Sequence, residues 1–155
     1  MHSTITIGQV LQIKGGDFFA ISPRATAYEA LEYMAEKNIG ALLVVKGRRL
    51  AGVFSERDYA RKVILKGKSS KSTTVGELMS CPPICAGPAL TLRDCMVLMT
   101  NNHIRHLPIV DKDAIIGIVS IGDVVKMIVS EQDTAIQVLE NYVTGNDCGA
   151  RVYCP

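Results

Sequence analysis

Residues 52–58 read G-V-F-S-E-R-D, and residues 117–123 read G-I-V-S-I-G-D. A glycine, two apolar residues, a serine and then an aspartate three positions on are spelled twice, 65 residues apart. Shifting the chain by the same 65 positions sets Thr26 on Thr91, Met34 on Met99, Ile39 on Ile104, Leu42 on Leu107 and Val45 on Val110, without a gap. A second echo, T-I-G-Q-V-L at 6–11 and T-V-G-E-L-M at 74–79, has an offset of 68, so the first unit carries three extra residues around G-G-D. Self-similarity at a fixed period marks a repeated supersecondary unit.

Both units read alike. Thr26 with Glu29, and Thr91 with Asp94, have the spacing of a helix N-cap with an acid at the third helical position. Ala27, Ala30, Leu31 and Met34 follow at helical spacing, as do Leu92, Cys95, Met96 and Met99. The apolar runs A-L-L-V-V at 41–45 and L-P-I-V at 107–110 suit buried strands. Turns follow at K-G-R-R and D-K-D, then second strands at 50–54 and 115–119. A further helix starts at Ser55 or Ser120 and is expected to reach about Lys66 or Ser130. The expected fold is α/β, a tandem β-α-β-β-α repeat with pseudo-two-fold symmetry. The boundaries are 5–66 for the first repeat, 67–74 for a linker, 75–130 for the second repeat and 131–155 for a C-terminal helix (about Gln132 to Tyr142) and loose tail. The linker region K-G-K-S-S-K-S-T-T at 66–74 is basic and polar, which suits a phosphate-attracting loop or a solvated connection; composition favours the connection. With Gly67 as its only glycine it is not a Walker A loop.

Composition narrows the class. The chain has 155 residues, 48% hydrophobic and 21% charged, as expected of a globular protein. A net charge of +2 and 5% aromatic content argue against nucleic acid, leaving the basic stretch 57–71 as the feature that would carry it. The start M-H-S-T-I-T-I-G-Q-V lacks the basic and apolar regions of a signal peptide, and no apolar run is long enough for a spanning helix, so a cytoplasmic chain without membrane contact is expected. Cysteines fall at 81, 85, 95, 148 and 154. Cys95 continues a helical apolar face; Cys81 and Cys85 flank P-P-I, and no metal-ligand spacing appears. Cys148 and Cys154 lie in the tail, where an intracellular setting disfavours a required disulfide. No nucleophile elbow, H-E-x-x-H or oriented Cys–His pair is present, so no enzyme is expected.

The doubled element itself has two physical readings. A helix opening at serine leaves backbone N–H groups unpaired, and they and the serine hydroxyl suit a phosphate. A first-turn aspartate can accept both hydroxyls of a ribose, as in dinucleotide folds. Alternatively, Asp58 and Asp123 only close capping boxes with Ser55 and Ser120. Repetition does not decide between them, because duplicated helices need duplicated caps.

The tandem h-G-h-h-S-x-x-D pattern, T-V-G-E-L-M before the second unit, and N-H-I-R-H-L-P-I-V at 102–110 resemble the cystathionine-β-synthase (CBS) domain pair, or Bateman module, over about residues 5–130. V-F-S-E-R-D-Y-A-R-K-V-I-L-K-G-K-S-S-K is similar to the small stand-alone bacterial CBS pairs and their plant organellar relatives. The resemblance implies a non-catalytic regulatory module that binds AMP, ATP, NAD or S-adenosylmethionine in two clefts between the repeats. It also implies a homodimer that modulates a partner protein. The family rule assigns Ser55, Val53 and Asp58 to one cleft, with Ile84 beside the base and Arg105 and His106 near phosphate. Arg57 could neutralise a phosphate tail there or, with Arg61 and Lys62, belong to a solvated helix face. The second cleft takes Ser120, Ile118 and Asp123, with Phe19 beside the base and Gly40 and Ala41 at the loop; Lys14 either reaches its phosphate or lies on the surface. Arg105 is a planar cation suited to phosphate, and His106 is a donor that titrates near neutrality unless buried. The Asp58 cleft is therefore expected to be the more phosphate-rich and the Asp123 cleft the smaller and more neutral. The alternative role is a dimerising scaffold with vestigial clefts.

Overall fold

The computed structural model describes residues 5–144. In chain order these form α1 (Ile7–Lys14), β1 (Ala20–Ile21), α2 (Ala27–Lys37), β2 (Ala41–Lys46), β3 (Arg49–Ser55), α3 (Glu56–Tyr59), α4 (Val75–Leu78), α5 (Leu92–Asn101), β4 (His106–Asp111), β5 (Ala114–Ser120) and α6 (Ile121–Thr144). Thr26 and Thr91 cap helices as the sequence predicts, and Thr6 and Thr74 do so as well. Thr6, Thr26 and Thr74 each open a helix in a capping box closed by Gln9, Glu29 and Glu77, and Thr91 accepts from the Asp94 N–H. Each repeat centres on an antiparallel pair, β2–β3 and β4–β5, with matching registers: Ala41 opposes Ser55 as His106 opposes Ser120.

Two cores form, and each borrows a helix from the other repeat. Ile7, Val10 and Leu11 of α1 are buried with Leu92, Cys95, Met99, Leu107, Ile109, Val119 and Val124 of the second repeat. Val75 and Leu78 of α4 are buried with Ala27, Ala30, Met34, Leu42, Val44, Phe54 and Val63 of the first. The exchange is hydrogen-bonded the same way twice. The Ile7 N–H donates to the Leu90 carbonyl at 2.8 Å and Gly8 to Pro88 at 2.8 Å; Val75 donates to Ala25 at 2.8 Å and Gly76 to Pro23 at 2.8 Å. The T-I-G-Q-V-L and T-V-G-E-L-M echoes are thus equivalent straps, each fastened to the neighbouring unit.

The strap explains the glycine of the doubled element. A methyl group on Gly52 would lie 2.6 Å from Met79 Sδ and 2.8 Å from the Ser80 carbonyl oxygen; on Gly117 it would lie 2.8 Å from Leu11 Cδ2. Only a residue without Cβ lets the crossing segment seat on the strand.

Four expectations are corrected. The second repeat has no opening strand: where β1 pairs parallel with β2, only a bridge from Ala86 to Ile109 is made. The helix after Ser55 holds α-geometry only through Tyr59 and widens into a π-type turn over Ala60–Ile64, short of Lys66. No break separates a helix at 120–130 from one at Gln132, because α6 runs unbroken for 24 residues. The stretch 66–74 is not merely solvated: Thr73 is buried with its hydroxyl on the Ser69 carbonyl, and Ser70 and Thr73 accept from the start of α2. The expected loose tail lies outside the described residues.

Gly52→Ala meets a backbone carbonyl and Gly117→Ala meets a mobile leucine end. Urea unfolding should show Gly52→Ala destabilised by about 1–3 kcal/mol, and by more than Gly117→Ala. Equal, negligible costs would contradict the close approach.

Candidate functional site

β3 and β5 each deliver a serine and then an aspartate to one end of the molecule. Ser55 caps α3: its hydroxyl accepts the Asp58 N–H at 3.2 Å, while its own N–H and Oγ donate to Asp58 Oδ2 at 3.0 and 2.7 Å. Ser120 and Asp123 repeat this, with the same three bonds at 3.2, 2.8 and 2.8 Å. Both pairs are therefore real capping boxes. The carboxylates differ beyond the cap. Asp58 Oδ1 takes Lys62 Nζ at 2.8 Å from one turn along and lies 3.4 Å from Ser80 Oγ. Asp123 Oδ2 takes Lys14 Nζ at 2.6 Å, and the same ammonium donates to the Ile118 carbonyl at 2.9 Å.

In front of Asp58 lies a cleft of about 500 Å³. Val53, Ser55, Arg57 and Asp58 line it from the first repeat and Arg105 and His106 from the second, with Ile84 from the segment before α5, all as the sequence reading groups them. The Arg57 guanidinium spans the gap and donates to the His103 carbonyl at 2.9 Å, so it ties the two repeats rather than simply facing solvent. Arg61, Lys62, Ser80 and His103 also line the cleft. No local pattern marks Ser80, because it follows α4 and reaches Asp58 only through the strap exchange.

Gly40, expected at the loop of the Asp123 cleft, also lines the Asp58 cleft. The Glu56 N–H donates to its carbonyl at 3.1 Å, which holds it at the start of α3. Ala41 beside it is buried in β2 and paired with Ser55, leaving little surface for a ligand. Ile118, Ser120, Asp123 and Lys14 do come together, but Lys14 binds the acid instead of reaching outward toward a phosphate. Phe19 packs edge-on to Tyr33, centroids 5.8 Å apart, with Lys37 5.7 Å from its ring centre.

His106 is half-buried, and that burial holds its imidazole below the ordinary 6.5; Lys14 and Arg105 push the same way and Asp123 opposes them. It is therefore a neutral ring at pH 7, which corrects the expectation of a charge change near neutrality. Positive charge in the Asp58 cleft comes from its arginines and lysine.

A two-repeat α/β module with paired serine–aspartate elements and a cationic cleft walled by both repeats is the class that these features define. A family model described as the CBS domain matches residues 8–64 and again 75–130, and the chain belongs to that family. The CBS domain-containing protein CBSX3, mitochondrial, from Arabidopsis thaliana is 42% identical over 149 residues, spanning 90% of this chain and 72% of that one. The CBS domain-containing protein YhcV from Bacillus subtilis is 38% identical over 103 residues, 66% of this chain and 73% of that one. The solved structure of a protein with CBS domains from Burkholderia ambifaria superposes with TM-score 0.79 at 43% identity, covering 83% of this chain and 96% of that one. Among the described residues no helix is long and apolar enough to cross a membrane, and no group of three or more His, Cys, Asp or Glu could hold a metal ion.

The Lys14–Asp123 pair carries a pH signature. Burial alone would raise the Asp123 carboxyl above 3.8, but the Lys14 and Ser120 hydrogen bonds outweigh it and the net shift is downward. The unfolded chain then takes up this proton first on acidification, so the contribution is whole above the unfolded value and is lost as pH falls through the folded one. Urea unfolding of Lys14→Met should lie below wild type near neutrality, with the gap closing between about pH 5 and pH 3. A gap that stays constant would mean that Lys14 stabilises by packing alone.

Proposed function

We propose that this protein is a non-catalytic regulatory module that binds an adenine nucleotide (AMP, ATP or NAD) and adjusts its contact with a partner protein. The observation that carries the proposal is the Asp58 cleft itself. One carboxylate fit for a ribose diol, an apolar wall of Val53 and Ile84 fit for a base, and Arg57 and Arg105 fit for phosphate converge in a volume ordinary for a small-molecule site. The walls belong to different repeats, so a bound nucleotide can favour one relative arrangement of the repeats over another, which is the minimum a regulator needs. A more distant solved CBS domain pair, 21% identical, is described in complex with 5′-methylthioadenosine and S-adenosyl-L-methionine. The Asp123 side is the weaker site on this reading, because Arg57 and Arg105, the cations fit for phosphate, line the Asp58 cleft. A reducing compartment, the cytoplasm or, as the CBSX3 name indicates for that relative, the mitochondrion, fits free Cys81, Cys85 and Cys95.

Calorimetry with AMP should give clear binding to the wild-type chain, loss of at least about tenfold in affinity for Asp58→Ala, and a smaller change for Asp123→Ala. Arg105→Ala should weaken AMP more than adenosine. Undiminished binding in both aspartate variants would sink the site assignment. A melting temperature that AMP, ATP and NAD all leave unmoved would favour the scaffold role with empty clefts.

A further inference from the structure

Each core with its borrowed strap forms one packed half of the molecule. One half runs from Phe19 to Met79 with α4 over its core; the other joins α1 to the chain from Ala86 into α6. The chain passes between them twice, from Lys14 to Phe19 and from Ser80 to Ala86. β3 lies beside β5 where the halves meet. The long-range side-chain bonds of Lys14 to Asp123 and Ile118, of Lys62 to Leu78 and of Ser80 to Asp58 all stay within one half. Arg57 differs. Its Nη1 donates at 2.9 Å to the carbonyl of His103 in the other half, and both residues line the Asp58 cleft.

No carboxylate among the described residues pairs with Arg57, so its charge rests on a neutral carbonyl. That is a weak hold on a cation. A charge-assisted bond to phosphate is roughly twice as strong as a neutral one. Arg105, two residues after His103, lines the same cleft, so a phosphate drawn to it arrives beside the Arg57 bond. The shift by 65 sets Arg57 on Gly122, so the Asp123 side has no counterpart of this bond.

We propose that the Arg57–His103 bond is a latch between the two halves, and that the phosphate of a ligand in the Asp58 cleft releases it by taking the Arg57 guanidinium. This rests on the nucleotide reading above and adds how that cleft signals. A ligand shifts the halves only through a contact that differs between their two arrangements, and the latch is that contact. A nucleoside without phosphate then fills the cleft and leaves the halves tied, while a nucleotide unties them. Arg57 sets which class of ligand is sensed, as distinct from which is bound.

A distance between the halves tests this. Spin labels go on Arg48→Cys and Asp111→Cys, both exposed at hairpin ends, in a full chain with Cys81, Cys85, Cys148 and Cys154 replaced by Ser and diluted in unlabelled protein. Saturating AMP should shift the distance distribution, and adenosine should not. Arg57→Met should show the AMP-like distribution without ligand and no further shift with AMP, while its adenosine affinity changes by less than about twofold. Arg61→Met removes a charge from the same wall but leaves the latch, so it should weaken AMP and keep the shift. Coincident ligand-free distributions for wild type and Arg57→Met would overturn the proposal. So would AMP bound without a shift, an equal shift with adenosine, a shift that survives Arg57→Met, or one that is lost equally in Arg61→Met. Inorganic pyrophosphate separates the two readings. If calorimetry shows no AMP binding, the nucleotide reading falls, and the latch stands only if pyrophosphate shifts the wild-type distribution and not that of Arg57→Met.

Discussion

Everything in this molecule depends on the exchange of two short helices between its halves. Neither repeat closes its own core: the first lacks a lid until Val75 and Leu78 arrive, and the second lacks one until Ile7, Val10 and Leu11 do. Each small α/β unit alone would leave the apolar end of its sheet and helix pair in water, and a unit of this size has little surface to spare. Cross-packing makes the two units one cooperative body, because losing either strap uncovers the other unit's core.

The same constraint builds the cleft. A strap that crosses over must approach the strand it seats on, which is why Gly52 and Gly117 carry no side chain. The chain leaving that strap passes the other unit's serine–aspartate turn, and this brings Ser80 and Ile84 up to Asp58. The capping box and the binding site are then one object. Ser55 and Asp58 Oδ2 satisfy the helix start, while Oδ1 faces the cleft among cations. Capping and ligand binding therefore do not compete as explanations of the repeated motif. The cap fixes the rotamer that the site uses.

Symmetry of sequence did not carry over into symmetry of charge. Both aspartates hold a lysine, but Lys62 comes from the helix that Asp58 begins and Lys14 from a strap. The shift by 65 sets Lys62 on Met127, so the second unit has no lysine four residues after its aspartate, and α1 supplies Lys14 instead. Arg105 and His106 against Gly40 and Ala41 complete the difference, with burial leaving His106 neutral. Two copies of one motif thus sit in different electrostatic surroundings.

Much was legible in the chain itself. The period of 65, the capping threonines and the buried runs at 41–45 and 107–110 are local or periodic features, and local features survive folding, whereas the grouping of Ser55, Asp58, Ile84, Arg105 and His106 follows only from the resemblance to the CBS pair. The strand missing before the second helix was not legible, since one bridge at Ala86 and a two-residue strand at Ala20 differ by geometry more than by composition. Nor were Gly40 in the Asp58 cleft, Lys14 on Asp123, or α6 running on through Ser130. Sequence alone determined that there are two like units and which residues open their helices, because periodicity and capping act within a few residues. Tertiary structure alone decided which unit each strap completes and that Asp123 meets Lys14, because those contacts join residues about a hundred positions apart or on opposite repeats, and no local propensity encodes them.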